Sequence, residues 1–404
     1  MILTLISLAA GLAAFWLLRR LSGAGSFLPW IMLSVFLAAV LRHPLFLLLG
    51  DSAFSPSLPR LLIIILSWCS GLTWLLGGLA LGWRILSLFP LTQVLGIGRR
   101  FGRVIPGSLI LLCAGLTAMA GLRGLADPVT VSLDLPLEAG PTFRRPLKVV
   151  QLTDLHLSSL TAGDWFDRLI LQIRRENPDL ILLTGDVADG TVAGRSLLAD
   201  RLGELRASLG TVLIPGNHEY YADYDGWMAF YRKLGFRVLE NSSVTFIHEG
   251  IPVEITGVTD EQALKDGRPG PELPQADCPG SGQALGDDRR SAEAHGDQRN
   301  GAVRILLKHR PLDAEQYAGT CPGFDLILSG HTHGGMILPL FPLVAAMNSG
   351  FVRGVYRSGR TWIYVSDGTF LWNAFPFRMG TRNTVAVFTL GGDRDGGDLP
   401  GEPD

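Results

Sequence analysis

Apolar positions are spread unevenly along the chain. Before about position 125 they run almost unbroken in four stretches, 2–18, 27–49, 61–83 and 104–122. Each is close to the ~20 residues that a helix needs to cross ~30 Å of hydrocarbon, and a helix satisfies its backbone amides within itself, as lipid requires. The pattern predicts a four-helix transmembrane region over residues 1–125. Buried core helices of a soluble protein remain the other reading of these stretches. Arg42, His43 and Pro44 interrupt the second stretch, where the charged pair is expected to mark the end of the span, with an interfacial continuation beyond it.

From Val129 onward the pattern changes to short β-branched runs alternating with amphipathic segments, the signature of a layered α/β domain. Strands are expected at 147–152, 179–183 and 211–214, with helices at 164–175 and 196–208 between them. Each strand is mostly Val, Ile or Leu and ends in a polar cluster. A second series, 244–247, 253–257, 303–307, 326–328, 362–365 and 385–390, also reads as strands, which suggests a two-sheet sandwich. Residues 265–300, rich in Gly, Pro, Asp, Arg and Gln without an apolar period, are expected to be a disordered insertion, and 393–404 a disordered tail. The expected organisation is thus a membrane region to 125 and a domain over 146–392.

Composition adds three constraints. A chain of 404 residues exceeds what one core usually holds. A formal charge of -2 speaks against a nucleic-acid partner, which clustered Lys and Arg would attract. Of four cysteines, Cys69 and Cys113 lie in apolar stretches, which leaves Cys278 and Cys321 as the one plausible pair, bridged if the domain is exported.

The arginines set the orientation. Arg19, Arg20, Arg84, Arg99, Arg100 and Arg103 fall in the loops after the first and third stretches, against Arg60 and Arg123 on the other side. The positive-inside rule then puts both termini and the large domain on the extracytoplasmic side of a cell (inner) membrane. Arg19 and Arg20 after the first stretch, with no basic residue before it, favour an uncleaved anchor over a signal peptide.

Five polar clusters stand at expected strand ends: Thr153-Asp154-Leu155-His156, Thr184-Gly185-Asp186, Gly216-Asn217-His218-Glu219, Lys308-His309-Arg310-Pro311 and Gly330-His331-Thr332-His333-Gly334-Gly335. Asp, Asn and neutral His are the oxygen and nitrogen donors that divalent metals take. Strand alternation would point Asp154 and His156 the same way if the strand continues to its end. Lys308 and Arg310 are candidates for phosphate contact or ordinary solvated charges. His43 reads as interfacial, and His248 and His295 as surface residues.

In this order the clusters resemble the calcineurin-like metallophosphoesterase superfamily, most closely its bacterial membrane-bound phosphodiesterase branch, over about 146–390. There a segment like Tyr364-Val365-Ser366-Asp367-Gly368-Thr369, followed by Trp372 and Arg378, closes the domain. The resemblance implies a four-layer αββα sandwich with two divalent metal ions, Mn, Fe or Zn. One would be held by Asp154, His156, Asp186 and His333, the other by Asp186, Asn217, His309 and His331, with Asp186 shared and a bridging hydroxide as nucleophile. His218 would protonate the leaving oxygen or, alternatively, orient a carboxylate, with Asp154 as its expected partner in the catalytic set. The implied function is an integral membrane phosphodiesterase or pyrophosphatase acting on a phosphoester, with a lipid-linked headgroup one option; a broad phosphomonoesterase and a non-catalytic metal-binding sensor are the alternatives. The chain departs from its relatives at Met336, where many have Gln, and at Phe370 and Asn373, where glycines are common. The apolar run 337–344 after Met336 is expected to lie against the bilayer or acyl chains, or else to be a buried loop or short strand.

Overall fold

The computed structural model describes residues 2–22, 25–52, 55–86, 105–137, 143–194, 197–274, 301–320, 323–337, 340–373 and 375–391. The expected insertion from 275 onward, the tail from 392, Cys278, Cys321, His295, Arg99, Arg100 and Arg103 lie outside them. The chain divides into two compact units, one of Met1–Leu125 with Asn373–Arg378, the other of Ala126–Trp372 with Met379–Asp404.

The first unit holds the helices Ile2–Ser22, Leu28–Ile31, Leu33–Leu48, Arg60–Leu86 and Ile105–Gly124, and a short hairpin of β1 (Gly50–Ser52) with β2 (Ser55–Pro56). Four spans are long and apolar enough to cross a membrane, the second running Leu28–Leu48. Without a hydrophobic drive between helices in lipid, close approach of small residues holds such bundles. Here a Cβ at Gly77 would lie 2.6 Å from the Ala10 Cα, so only glycine lets the first and third spans touch there. The second helix does not end at Arg42 as expected but runs on through Pro44 to Leu48. The reason is local: the Arg42 guanidinium donates to the Asn373 carbonyl and lies 5.0 Å from the Phe46 ring centroid, so the charge is satisfied inside the unit. His43, expected at an interface, is buried. Phe375 and Arg378 are held likewise: Phe375 stacks on Trp74 with centroids 5.4 Å apart, and Arg378 N–H donates to the Ala120 carbonyl at 3.0 Å.

The second unit is an α/β sandwich. Its strands are β3 (Val129–Leu135), β4 (Leu147–Leu152), β5 (Leu180–Thr184), β6 (Gly210–Ile214), β7 (Arg237–Val238), β8 (Ser242–His248), β9 (Ile251–Gly257), β10 (Val303–Leu307), β11 (Leu326–Ser329), β12 (Gly354–Ser358), β13 (Thr361–Val365) and β14 (Thr384–Leu390). They form two six-stranded sheets, β3-β14-β4-β5-β6-β7 and β12-β13-β11-β10-β9-β8. Period-two alternation makes the core between them: Leu147 and Val149, Leu180 and Leu182, Val212 and Ile214 of one sheet join Val253, Ile255, Val303, Ile305, Leu326 and Leu328 of the other in one buried cluster. The opposite face of the second sheet buries Leu306, Ile327, Ile363 and Val365 with Phe324 and Phe351. Helix Gly163–Glu176 buries the stripe Trp165, Phe166, Leu169, Ile170 and Ile173, the period expected of a helix covering a sheet.

Two elements differ from expectation. The helix expected over 196–208 is a turn of α-helix, Leu197–Asp200, followed by a 3₁₀ turn, Arg201–Glu204. Leu205 is extended, and its carbonyl accepts the Thr211 hydroxyl at 2.8 Å, which stops the helix. The run after Met336 forms neither loop nor strand over its second half but the helix Phe341–Met347, with Leu343 and Met347 exposed.

Candidate metal centre

Strands β4, β5 and β6 are parallel neighbours in one sheet, and β10 and β11 in the other. All five polar clusters follow the carboxyl ends of these strands, where open α/β sheets place their ligands. The backbone turns sharply there. Asp154, His156, Asp186, His331 and His333 all have positive φ, between 42° and 68°. Non-glycine residues rarely adopt this region, and clusters of them accompany functional sites. Strand alternation therefore does not aim Asp154 and His156, because β4 ends at Leu152; left-handed turns do.

Loop-to-loop bonds hold these turns. Asp154 N–H donates to Gly185 O at 3.1 Å, His156 N–H to Asp186 O at 3.0 Å and Leu157 N–H to Val187 O at 3.1 Å, so the two loops zip together. The Glu219 carboxylate accepts from the N–H groups of Asp186 (3.1 Å), Val187 (2.8 Å) and Gly216 (2.8 Å), and from the Tyr231 hydroxyl at 3.2 Å. Burial first, then Asp186, pushes this carboxyl up to about 7. Glycine is required at Gly216 and Gly330 for close approach, since a Cβ would collide with Asp186 Oδ1 at the first and Asp154 Oδ2 at the second.

Six of the seven expected metal ligands gather in two groups, Asp154 with His156 and His333, and Asp186 with His309 and His331; Asn217, the seventh, opens the helix Asn217–Ala222, and all seven are buried except the half-buried His331. In one group, His156 Nε2 lies 3.2 Å from His333 Nε2, and Asp154 Oδ1 is 4.0 Å from the first and 3.5 Å from the second. In the other, His309 Nε2 is 3.2 Å from Asp186 Oδ2, and the His309 and His331 rings are 5.2 Å apart. Asp186 Oδ2 is also 3.8 Å from His156 Nε2. The ring tautomers follow from the partners on the far side: His156 Nδ1 bonds Asp189 Oδ1 at 3.0 Å and His309 Nδ1 donates to Thr184 O at 2.8 Å. In the neutral ring each Nε2 then turns a lone pair inward, as a metal-ligating histidine does.

These donors fit a pair of cations. Among the described residues, Asn217 Oδ1 is buried with no hydrogen-bond partner, an expensive state unless something else satisfies it, and His309 Nε2 has only the Asp186 carboxylate beside it, at 3.2 Å. Two inward imidazole lone pairs at 3.2 Å likewise need a proton or a cation between them. The protein's own charges pull hard on protons here. Burial alone would lower His309 and His218, but Asp186 and its neighbours outweigh it and raise them to about 10 and about 9. Burial, then His309 and Arg310, hold His331 well below its ordinary value.

Asp189 was not singled out by sequence, and its signal was available: it stands three residues after Asp186 in Gly185-Asp186-Val187-Ala188-Asp189. Fully enclosed, its Oδ1 bonds both His156 Nδ1 and, at 2.6 Å, His218 Nδ1. The orienting partner of His218 is therefore Asp189 rather than Asp154. Asp154 instead accepts the Thr153 hydroxyl at 2.8 Å and the His331 N–H at 3.1 Å. The Trp372 ring meets the His218 ring edge-on at 5.9 Å. Lys308 is buried and ion-paired with Glu261. His248, expected at the surface, is buried with Nε2 2.9 Å from the Arg145 carbonyl.

Asp, Asn and His side chains gathered at the strand ends of two sheets are the donor set of a metal-dependent hydrolase. Residues 147–335 match the family model described as calcineurin-like phosphoesterase. The chain is 33% identical over 254 residues to the uncharacterized metallophosphoesterase YkuE of Bacillus subtilis, covering 78% of that protein and 60% of this chain. It is 31% identical over 288 residues to a zebrafish (Danio rerio) transmembrane protein with metallophosphoesterase domain, a match spanning 70% of this chain and 62% of that protein's length. An uncharacterized metallophosphoesterase of Campylobacter jejuni is 29% identical over 289 residues, 71% of this chain and 70% of its own. The chain belongs to the calcineurin-like phosphoesterase family.

Proposed function

We propose that this chain is an integral membrane phosphoester hydrolase that cleaves a phosphodiester or pyrophosphate link with two divalent ions, Mn, Fe or Zn. The observation that carries the reading is the placement of Asp186: one carboxylate oxygen faces His309 of one donor group at 3.2 Å and His156 of the other at 3.8 Å. Asp154, His156, Asp186 and His333 would hold one ion, and Asp186, Asn217, His309 and His331 the other. When bound, two such ions supply Lewis acidity that makes water nucleophilic at neutral pH and neutralises phosphoryl charge.

The remaining work falls to the protein. Asp189 engages His218 Nδ1, so Nε2 faces the ligand cluster, 3.9 Å from Asp186 Oδ2. A water oxygen forms the new P–O bond and gives up a proton to solvent; the bond to the leaving oxygen breaks with its electron pair, and His218 Nε2 delivers the proton that oxygen takes. General acid catalysis of this kind contributes about 10²- to 10⁴-fold. The four apolar spans support a membrane location, and the arginine bias supports a catalytic domain outside the cytoplasm of a cell (inner) membrane. Exposed Leu343 and Met347, just beyond the His331–His333 loop, support a substrate with an apolar tail such as a lipid-linked phosphoester.

The test is release of nitrophenol from bis(p-nitrophenyl) phosphate by the full chain in detergent with added Mn. Activity is expected, and His218→Ala is expected to lower kcat about 10²-fold or more while two metals per chain remain bound. Activity untouched by that substitution would sink the assignment.

A further inference from the structure

The open side of the site carries a guanidinium that the reaction above does not use. Arg310 directly follows His309 and is half-buried. Its Nε donates to Asp260 Oδ2 at 2.9 Å, with Glu261 Oε2 at 3.9 Å. Asp260 is itself buried and fixed, its Oδ1 accepting the Gln262 N–H at 2.8 Å. Among the described residues neither Nη of Arg310 donates a hydrogen bond.

Arg310 stands beside the metal centre, because the carbonyl of the preceding His309 accepts the Gly330 N–H at 2.9 Å and the His309 ring lies 5.2 Å from that of His331. His331 is the one candidate ligand that is not buried. Tyr221 is 44% exposed, and its ring is 5.0 Å from that of His218. Lys308 makes the contrast. On the other side of His309, it is buried, paired with Glu261 and 5.4 Å from the Tyr317 ring centroid, which makes it a brace of the loop.

A guanidinium held by a carboxylate at Nε keeps its Nη pair in a fork that matches a phosphoryl or carboxylate group, at little entropic cost on binding. We propose that Arg310 is a specificity-determining residue: braced by Asp260, it receives a second anionic group, phosphoryl or carboxylate, carried by the substrate beside the phosphoryl group that is cleaved. This rests on the phosphoester hydrolase reading and narrows its substrate class to esters with two neighbouring anionic centres.

The experiment compares three substrates with the Mn-loaded full chain: bis(p-nitrophenyl) phosphate, P1,P2-bis(p-nitrophenyl) diphosphate and p-nitrophenyl carboxyphenyl phosphate, with products separated by chromatography. The wild type is expected to prefer one of the two doubly anionic substrates, which identifies the second group as phosphoryl or carboxylate. Arg310→Met is expected to lower kcat/KM on that substrate at least tenfold more than on bis(p-nitrophenyl) phosphate, mainly through KM, and Arg310→Lys to restore only part of it. Equal losses on all three substrates, no wild-type preference, or a variant that has lost metal would each overturn the proposal. Absence of wild-type turnover on every substrate removes the hydrolase reading itself, and the role of Arg310 with it.

Discussion

At the scale of single residues, one carboxylate serves two histidines. Asp189 Oδ1 bonds the Nδ1 atoms of His156, a candidate ligand, and His218, the candidate acid. Residues that orient metal-bound histidines typically matter by about 10- to 100-fold in metal affinity or activity. Asp189→Asn is therefore expected to weaken metal binding and turnover together, whereas His218→Ala affects turnover alone; titrating activity against Mn separates the two. Protonation gives a second expectation. His309, raised to about 10, carries a proton at neutral pH and must lose it to bind a metal. Metal uptake should release protons, and apparent affinity should rise between about pH 6 and 8. Calorimetry in buffers of different ionisation enthalpy measures the release, and affinity independent of pH would contradict it. The candidate ligands were legible in the sequence because Asp, Asn and His recur beside glycines at strand ends. The means of aiming them was not, since positive φ at Asp154 or His331 depends on bonds from other loops, such as Asp154 N–H to Gly185 O.

At the scale of elements, the far ends of the same strands are tied by Asp179. Its carboxylate accepts from Arg145 Nη2 at 2.8 Å, from the Lys148 N–H of β4 at 3.0 Å and from the Ser208 hydroxyl at 3.1 Å. Burial raises this carboxyl, but Arg145 and the other donors outweigh it and the net direction is down. A carboxylate whose folded value is depressed stabilises the fold above its unfolded value of ~4 and loses that contribution as pH falls through the folded value. Asp179→Ala is expected to cost about 2 kcal/mol at neutral pH, and the difference from wild type should shrink below about pH 4. Chemical denaturation at several pH values reads this directly, and a difference constant from pH 7 to 3 would exclude it. Strands such as β5 and β11 could be located from sequence because they are nearly continuous apolar runs buried on both faces. Helix ends were harder: a turn of 3₁₀ at Arg201–Glu204 answers to Thr211, ten residues on from its start, which no local window contains.

At the scale of the whole chain, the sequence reading divides the protein once, near residue 125, where the apolar stretches stop. The molecule is divided differently, because Asn373–Arg378 groups with the membrane helices. Nothing in Phe375-Pro376-Phe377 distinguishes it by pattern from an ordinary loop. Its partners, Trp74 for Phe375, Gly71 for Phe377 and Arg42 for the Asn373 carbonyl, are some three hundred residues away in the chain.

Cutting the gene at the apparent border would therefore not liberate a well-behaved soluble enzyme. A fragment of residues 126–404 keeps Phe375 and Phe377 but discards Trp74 and Gly71, against which they pack, leaving an adhesive tip. Such a fragment should elute as aggregates or with bound detergent on size exclusion, and Phe375→Ser with Phe377→Ser should return it to a single dispersed species. If the unaltered fragment is monodisperse in plain buffer, the tip finds shelter elsewhere.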